Sequence, residues 1–206
     1  FIKDKRIHLY GRENELPRDL KPDLEIDAEG GYVLPGFCDP HTHIAFLGKR
    51  INDFELRCRG YSYQQISSIT GGIHFTQEIT SRATLTSLTA SILHKLKIFS
   101  LYGYSAVEIK TGYGLTLADE LKLIEAINKA REGTSQHIVC TYLALHTRPP
   151  DDPQERLKYA SERINILDDE KVKNSINYID IFCDEGYWSS KEALLLFQKA
   201  SARGIP

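Results

Sequence analysis

From Tyr32 onward the sequence alternates short apolar runs with segments of helical period, and no other feature constrains the fold as much. Tyr32–Cys38, Ser105–Ile109, His137–Leu145 and Tyr178–Cys183 are continuous apolar runs, the pattern of strands buried on both faces. Between them, Leu85–Leu101 sets Leu88, Ile92, Leu96 and Phe99 on one stripe. Leu117–Arg131 does the same with Leu121, Ile124 and Ile127. Its first turn carries Asp119 and Glu120 and its last Lys129 and Arg131, each favourable to the helix dipole. Ser189 or Ser190 is placed to cap Lys191–Ala202, and Gly204 to end it. Such alternation predicts an α/β fold of parallel strands with right-handed crossovers. A (β/α)8 barrel takes about 250 residues, and four β/α units are readable here. A doubly wound sheet fits the alternation too, but no G-x-G-x-x-G follows the first strand.

Residues 1–34 have a different texture. Arg6–Tyr10 and Leu24–Ile26 read as short strands, separated by a polar stretch with Pro17 and Pro22 and followed by a Gly30-Gly31 turn. This stretch is expected to be part of a small composite β domain, strands of a flanking β-sandwich, and is too short to fold alone. Residues 35–206 are then expected to form the first half of a barrel. The 206 residues balance 26 Lys+Arg against 28 Asp+Glu, a net charge of −2, which removes any bulk electrostatic case for nucleic acid or an anionic membrane. No apolar run approaches the ~18 residues of a membrane span. The chain has no Met, as expected of one processed or cut from something longer. Cys38, Cys58, Cys140 and Cys183 form no C-x-x-C pair and read as small buried hydrophobes in a reducing, cytoplasmic compartment.

Several polar residues stand where apolar strands end. His41 and His43 share one face of the first strand, so both imidazoles can converge on one ion, Zn²⁺ or Fe²⁺. Asp39 lies on the same face and can orient a ligand imidazole. Arg50, in a loop, suits a bidentate grip on a carboxylate, although a solvated loop arginine is the commoner case. Gly71-Gly72 reads either as a close approach of backbone to a ligand or as a plain turn. Glu108 and Lys110 share a face of the second strand, where charges pair or line a site. Tyr113 between two glycines can donate from its phenol or simply pack. His146 ends the third strand and Asp184-Glu185-Gly186 follow the fourth; no Lys stands in Ile179–Cys183 to bridge a second metal.

Leu34-Pro35-Gly36-Phe37-Cys38-Asp39-Pro40-His41-Thr42-His43 resembles the first-strand signature of the amidohydrolase superfamily. The likeness narrows to the imidazolonepropionases of histidine degradation through Gly48-Lys49-Arg50, Gly60-Tyr61-Ser62-Tyr63, Gly71-Gly72-Ile73-His74-Phe75-Thr76, Glu108–Leu115 and Ile181-Phe182-Cys183. It runs from about Tyr32 to Gly204 with the blocks in the family's order.

The resemblance implies hydrolysis of the cyclic amide 4-imidazolone-5-propanoate to N-formimino-L-glutamate, with one divalent metal ion, Zn or Fe. It implies His41 and His43 as metal ligands, and Arg50, Tyr113, His146 and Tyr63 as substrate contacts. The remaining ligands, a His and an Asp, and the acid–base groups are expected beyond Pro206. A homo-oligomer is left open. Thr70, Cys38 and the neighbours of His146 depart from the family pattern. The alternatives are an amidohydrolase acting on another cyclic amide or an aminated base, and a non-catalytic half-barrel binding module. The 206-residue piece by itself is expected to fold poorly and to be inactive, because open sheet edges invite aggregation.

Overall fold

The computed structural model describes residues 1–206 apart from the side chain of Tyr63. It contains two compact units, Phe1–Pro35 and Gly36–Pro206. In the first, β1 (Ile2–Lys3) and β2 (Arg6–Ile7) pair antiparallel, with Ile2 opposite Ile7. Asp4 and Lys5 turn between them at φ 50° and 61°, the left-handed pair of a tight hairpin. The strand expected over Arg6–Tyr10 shortens to two residues, and Leu24–Ile26 forms no strand. A ladder this short presents no apolar face on which a sheet could grow.

The second unit is built on four parallel strands in the order β3 (Phe37–Thr42), β4 (Tyr104–Lys110), β5 (His137–Leu145) and β6 (Tyr178–Ile181). Each strand joins the same advancing edge in sequence order. That excludes the doubly wound alternative, whose order reverses at a switch point, and agrees with a portion of a (β/α)8 barrel. Only β4 and β5 have a strand on both sides, and their later residues are the most buried of the sheet.

The strand expected to start at Tyr32 starts at Phe37 instead, and Tyr32, Val33, Leu34 and Phe37 are exposed. The run is apolar enough for a central strand, but β3 has a neighbour on one side only. At the other edge the ladder stops at Ile181, and Cys183 meets Trp188 in an isolated bridge.

Between β3 and β4 the sequence suggested loops around Arg50 and Gly71-Gly72, whereas the chain forms α1 (Ile51–Cys58), α2 (Tyr63–Thr70) and α3 (Gly72–Arg82). These helices bury few apolar side chains, so their periodicity is faint. Caps define them instead: Ser62 and Gln65 form a reciprocal capping box, and Gly71 ends α2 at φ 79°. A Cβ on Gly72 would stand 2.7 Å from Ser67 Oγ, so this glycine pair serves a tight helix–helix joint.

The longer helices follow the sequence pattern closely. α4 (Leu85–Leu101) is capped by Thr84, and α5 (Leu117–Glu132) by a capping box of Thr116 and Asp119. α6 (Pro153–Asn165) opens on Pro153 under an Asp152 cap, α7 (Glu170–Ser175) follows, and α8 (Ser190–Ala202) is capped by Ser189. The core lies between helices and sheet, where Leu88, Ile92 and Leu96 of α4 and Leu123 and Ile127 of α5 are buried with Val107, Ile109 and Tyr142. No described helix is long and apolar enough to cross a membrane. The cysteines depart from expectation. Cys140 alone is buried, where burial pushes its thiol up to about 12, whereas Cys38, Cys58 and Cys183 are exposed. Two of the exposed ones sit on or beside the edge strands, and Cys58 ends α1, away from the core.

Candidate active site

Parallel strands converge their C-terminal ends, and here those ends bring four residues chosen from the sequence into one cluster. The rings of His41 and His43 stand 5.3 Å apart between centroids. His146, following β5, stacks on His43 at 5.1 Å, and Tyr113 meets His43 at 6.1 Å and His146 at 5.5 Å, both edge-on. Phe46 backs Tyr113 at 5.5 Å.

The electrostatics favour neutral imidazole at His43 and His146. Burial, then the neighbouring His146, His41 and Lys110, pull the His43 pKa down to about 4. Its Nδ1 is buried and has no hydrogen-bond partner among the described residues. A neutral ring nitrogen left unsatisfied in a buried setting is the donor state that a divalent metal requires. His146 is also lowered by burial, and its Nδ1 lies 2.9 Å from the Gly112 carbonyl. A carbonyl only accepts, so Nδ1 carries the proton and Nε2 is left as an acceptor. Two imidazoles are half of a zinc coordination shell. Among the described residues no group of three or more His, Cys, Asp or Glu side chains is placed to hold an ion. The donor set therefore fits a metal as a partial one.

Beneath the imidazoles, Lys110 donates to Glu108 and to Asp180 of β6, each at 2.8 Å. Burial draws the Lys110 ammonium down, but the bonds and charges of Asp180 and Glu108 outweigh it and hold its pKa above the ordinary value. Glu108 also accepts from the Thr42 backbone N–H at 3.2 Å, while Thr42 Oγ1 donates to the Glu108 carbonyl at 2.6 Å. The interior charges anticipated on β4 are thus paired, and they tie β3 to β4 immediately beside His41 and His43. Farther toward the strand starts, the sheet lines a hollow of about 340 Å³ that includes Cys38, Ala106, His137 and Tyr178.

Two expectations change. Asp39 accepts the backbone N–H of His41 at 3.2 Å, so it shapes the strand end instead of holding an imidazole. Arg50 immediately precedes α1 without capping it through its side chain, pairs with Asp53 at 3.6 Å and lines a groove of about 360 Å³ with Lys49, Arg59 and Phe75. None of His41, His43, Tyr113 and His146 lines that groove. Tyr63 is the first residue of α2, and its side chain lies outside the described residues.

Tyr113 owes its place to its flanking glycines. Gly112 sits at φ +108°, and a Cβ there would reach 2.7 Å from His146 Nδ1; one on Gly114 would reach 2.7 Å from Glu120 Oε1. Glu120 is the residue that sequence reasoning overlooked, having assigned it only to the charge balance of a helix terminus. Its carboxylate turns back under the loop and accepts from the N–H groups of Gly112 at 3.0 Å and Gly114 at 2.6 Å. The available signal was spacing, with a carboxylate one turn into the helix that follows a Gly-x-Gly loop. Asp180 was overlooked too, inside a run read only for its apolarity.

Residues 24–82 match the amidohydrolase family. The imidazolonepropionase of Caldanaerobacter subterraneus subsp. tengcongensis is 34% identical over 205 residues, covering 99% of this chain and 49% of the relative. That of Symbiobacterium thermophilum is 36% identical, covering 98% and 49%, and that of Flavobacterium johnsoniae 34% identical, covering 99% and 50%. The chain spans about half the length of the curated relatives it matches. Together with the strand-end histidines and the parallel sheet, the chain is similar along nearly its whole length to about half of these imidazolonepropionases, and over residues 24–82 to the amidohydrolase family.

Proposed function

We propose that the protein containing this chain hydrolyses 4-imidazolone-5-propanoate to N-formimino-L-glutamate, with His41 and His43 holding one divalent ion, Zn or Fe. The observation that carries this is the neutral, unsatisfied His43 ring beside His41, at the end of a parallel strand and flanked by His146 and Tyr113. When bound, a divalent ion lowers the pKa of water and polarises a carbonyl, which is the chemistry that opening a cyclic amide needs.

The chain's own residues would bind and orient. Nε2 of His146 is free to accept from a ring N–H, because Nδ1 is committed to Gly112. Tyr113 forms a wall across both imidazoles. Arg50, with Lys49 and Arg59 nearby, supplies the positive end suited to a propionate carboxylate, and reaching it would require the guanidinium to leave Asp53. Tyr63 belongs to the same proposal through the resemblance of its motif. So do the assignment of residues 35–206 to the first half of a barrel and of residues 1–34 to part of a small composite β domain. A cytoplasmic setting, where free thiols persist, completes it.

The test uses the full-length protein. Turnover of imidazolone propionate, measured with one equivalent of Zn or Fe by elemental analysis, is expected in the wild type. His43→Ala is expected to lose at least ~10-fold in metal affinity, because a ligand is removed outright. Hydrolysis of a different cyclic amide or of an aminated base, with none of imidazolone propionate, would redirect the assignment. Full metal retention in a His41→Ala/His43→Ala double variant would remove the proposed ligands.

A further inference from the structure

We propose that Glu120 is a positioning residue for Tyr113, its buried carboxylate clasping the backbone N–H groups on both sides of that tyrosine and so fixing where the ring stands against His43 and His146. The proposal rests on the reading above only in taking Tyr113 to face the substrate.

Four observations carry it. Glu120 is 2% exposed, on the first turn of α5, and its two oxygens are divided between the two glycines, Oε2 to Gly112 and Oε1 to Gly114. A two-point grip fixes a peptide plane on either side of Tyr113, where a single bond would leave the loop a hinge. The grip is supported from several sides. The Thr111 hydroxyl bonds to the same carboxylate and accepts from the Leu143 N–H at 3.2 Å. Arg163 of α6, itself 4% exposed, donates to the Leu115 carbonyl at 3.2 Å, and Ser81 of α3 accepts from the Leu115 N–H at 3.2 Å. The outward side is held by His146, whose Nδ1 binds the carbonyl of Gly112, the residue whose N–H Glu120 takes. Finally, both glycines are obligatory for this contact, since a Cβ on Gly112 would strike His146 and one on Gly114 would strike Glu120.

A buried carboxylate is costly, and a helix start does not need one here: Thr116 and Asp119 already complete the cap. Among the described residues no salt bridge involves Glu120, and the charge of Arg163 lowers its carboxyl only in part. Its bonds go to the loop, and the loop's one large side chain between the glycines is Tyr113. Burial pushes the Glu120 carboxyl up to about 7 despite the N–H donors, so the group is held at an electrostatic cost that its hydrogen bonds offset only in part.

The experiment compares Glu120→Gln and Glu120→Asp with wild type in the full-length, metal-loaded protein. The amide NH2 of Gln opposes one of the two backbone N–H groups, and Asp is one methylene short of both. Amide hydrogen exchange is expected to rise about tenfold in Thr111–Thr116 for Glu120→Gln, with β4, β5 and metal content unchanged, as for the loss of one charge-assisted bond. KM for imidazolone propionate is expected to rise more than kcat falls, and Glu120→Asp to recover part of the loss. Because Glu120 acts through Tyr113, adding Glu120→Gln to Tyr113→Ala should change KM little further. Unchanged exchange in the loop, exchange rising equally in β4 and β5, or multiplicative effects in the double variant would each overturn the proposal. Should the wild type fail to turn over imidazolone propionate, the substrate reading falls, and the exchange result alone decides the clasp.

Discussion

Gly114 has no room for a side chain, because Glu120 already fills the space that one would occupy. A Cβ there would stand 2.6 Å from the Glu120 backbone nitrogen. Gly114→Ala should therefore destabilise the full-length protein by about 2 kcal/mol, the cost of overpacking a buried contact. Gly60, unlike Gly114, takes a left-handed φ, of +88°, and among the described residues has nothing within 4 Å of its missing Cβ. Gly60→Ala should cost only about 1 kcal/mol of backbone strain. Equal thermal shifts for the two variants would contradict the contact. Glu120 also makes a pH prediction. Its pKa rises from 4.5 to about 7 on folding, so between those values the folded chain holds the proton more tightly than the unfolded one. Stability from this group is present below pH 4.5 and declines as pH rises toward 7, by on the order of 2 kcal/mol. Glu120→Gln should flatten that decline, and denaturant midpoints measured from pH 4.5 to 7.5 would detect it. His41, His43, Tyr113 and His146 were legible from sequence because each sits at a strand end or between glycines. Glu120 and Asp180 were not, since their partners are backbone amides and a lysine on other elements.

At the scale of elements, α4, α5 and α8 were readable because each combines a long apolar stripe with a polar cap. The helices between β3 and β4 were not, because they are short and mostly exposed, and only their caps mark them. Packing between α6 and α8 is held by a long-range pair. Arg156 grips Glu192 through two bonds of 2.7 Å and also reaches the Tyr187 carbonyl at 3.1 Å. The Arg156 bond outweighs the effect of partial burial and holds the Glu192 carboxyl down at about 2. The unfolded chain therefore binds this proton more readily than the folded one. The stabilisation is complete above the ordinary value of 4.5 and is lost as pH falls toward about 2. Solvent screening of a partly exposed pair limits it to about 1 kcal/mol. Arg156→Gln should lower the denaturant midpoint at pH 6 and leave it nearly unchanged at pH 2; an equal loss at both would point to packing instead of charge.

At the scale of the whole molecule, the sheet has two edges, β3 and β6, each with one strand partner. Phe37 at 56% and Tyr178 at 47% exposure carry aromatic surface along them. Expressed as these 206 residues alone, the chain should associate in a concentration-dependent manner. Light scattering across a dilution series checks this, and a monomer at every concentration would contradict it. The same openness explains why an apolar run at Tyr32 predicted a strand that begins at Phe37. Apolarity reports that a segment can be buried, whereas burial needs neighbours on both sides.

The sequence alone determined the α/β alternation, the serine cap of α8 and the two imidazoles on one strand face, since each depends on residues adjacent in the chain. Only the tertiary structure decided which carboxylates serve the site. For Glu120 the chain offers only a spacing, and the turn of its carboxylate back to Gly112 and Gly114 needs the folded loop; Asp180 reaching across to Lys110 is a contact between separate strands, and no local pattern encodes that meeting.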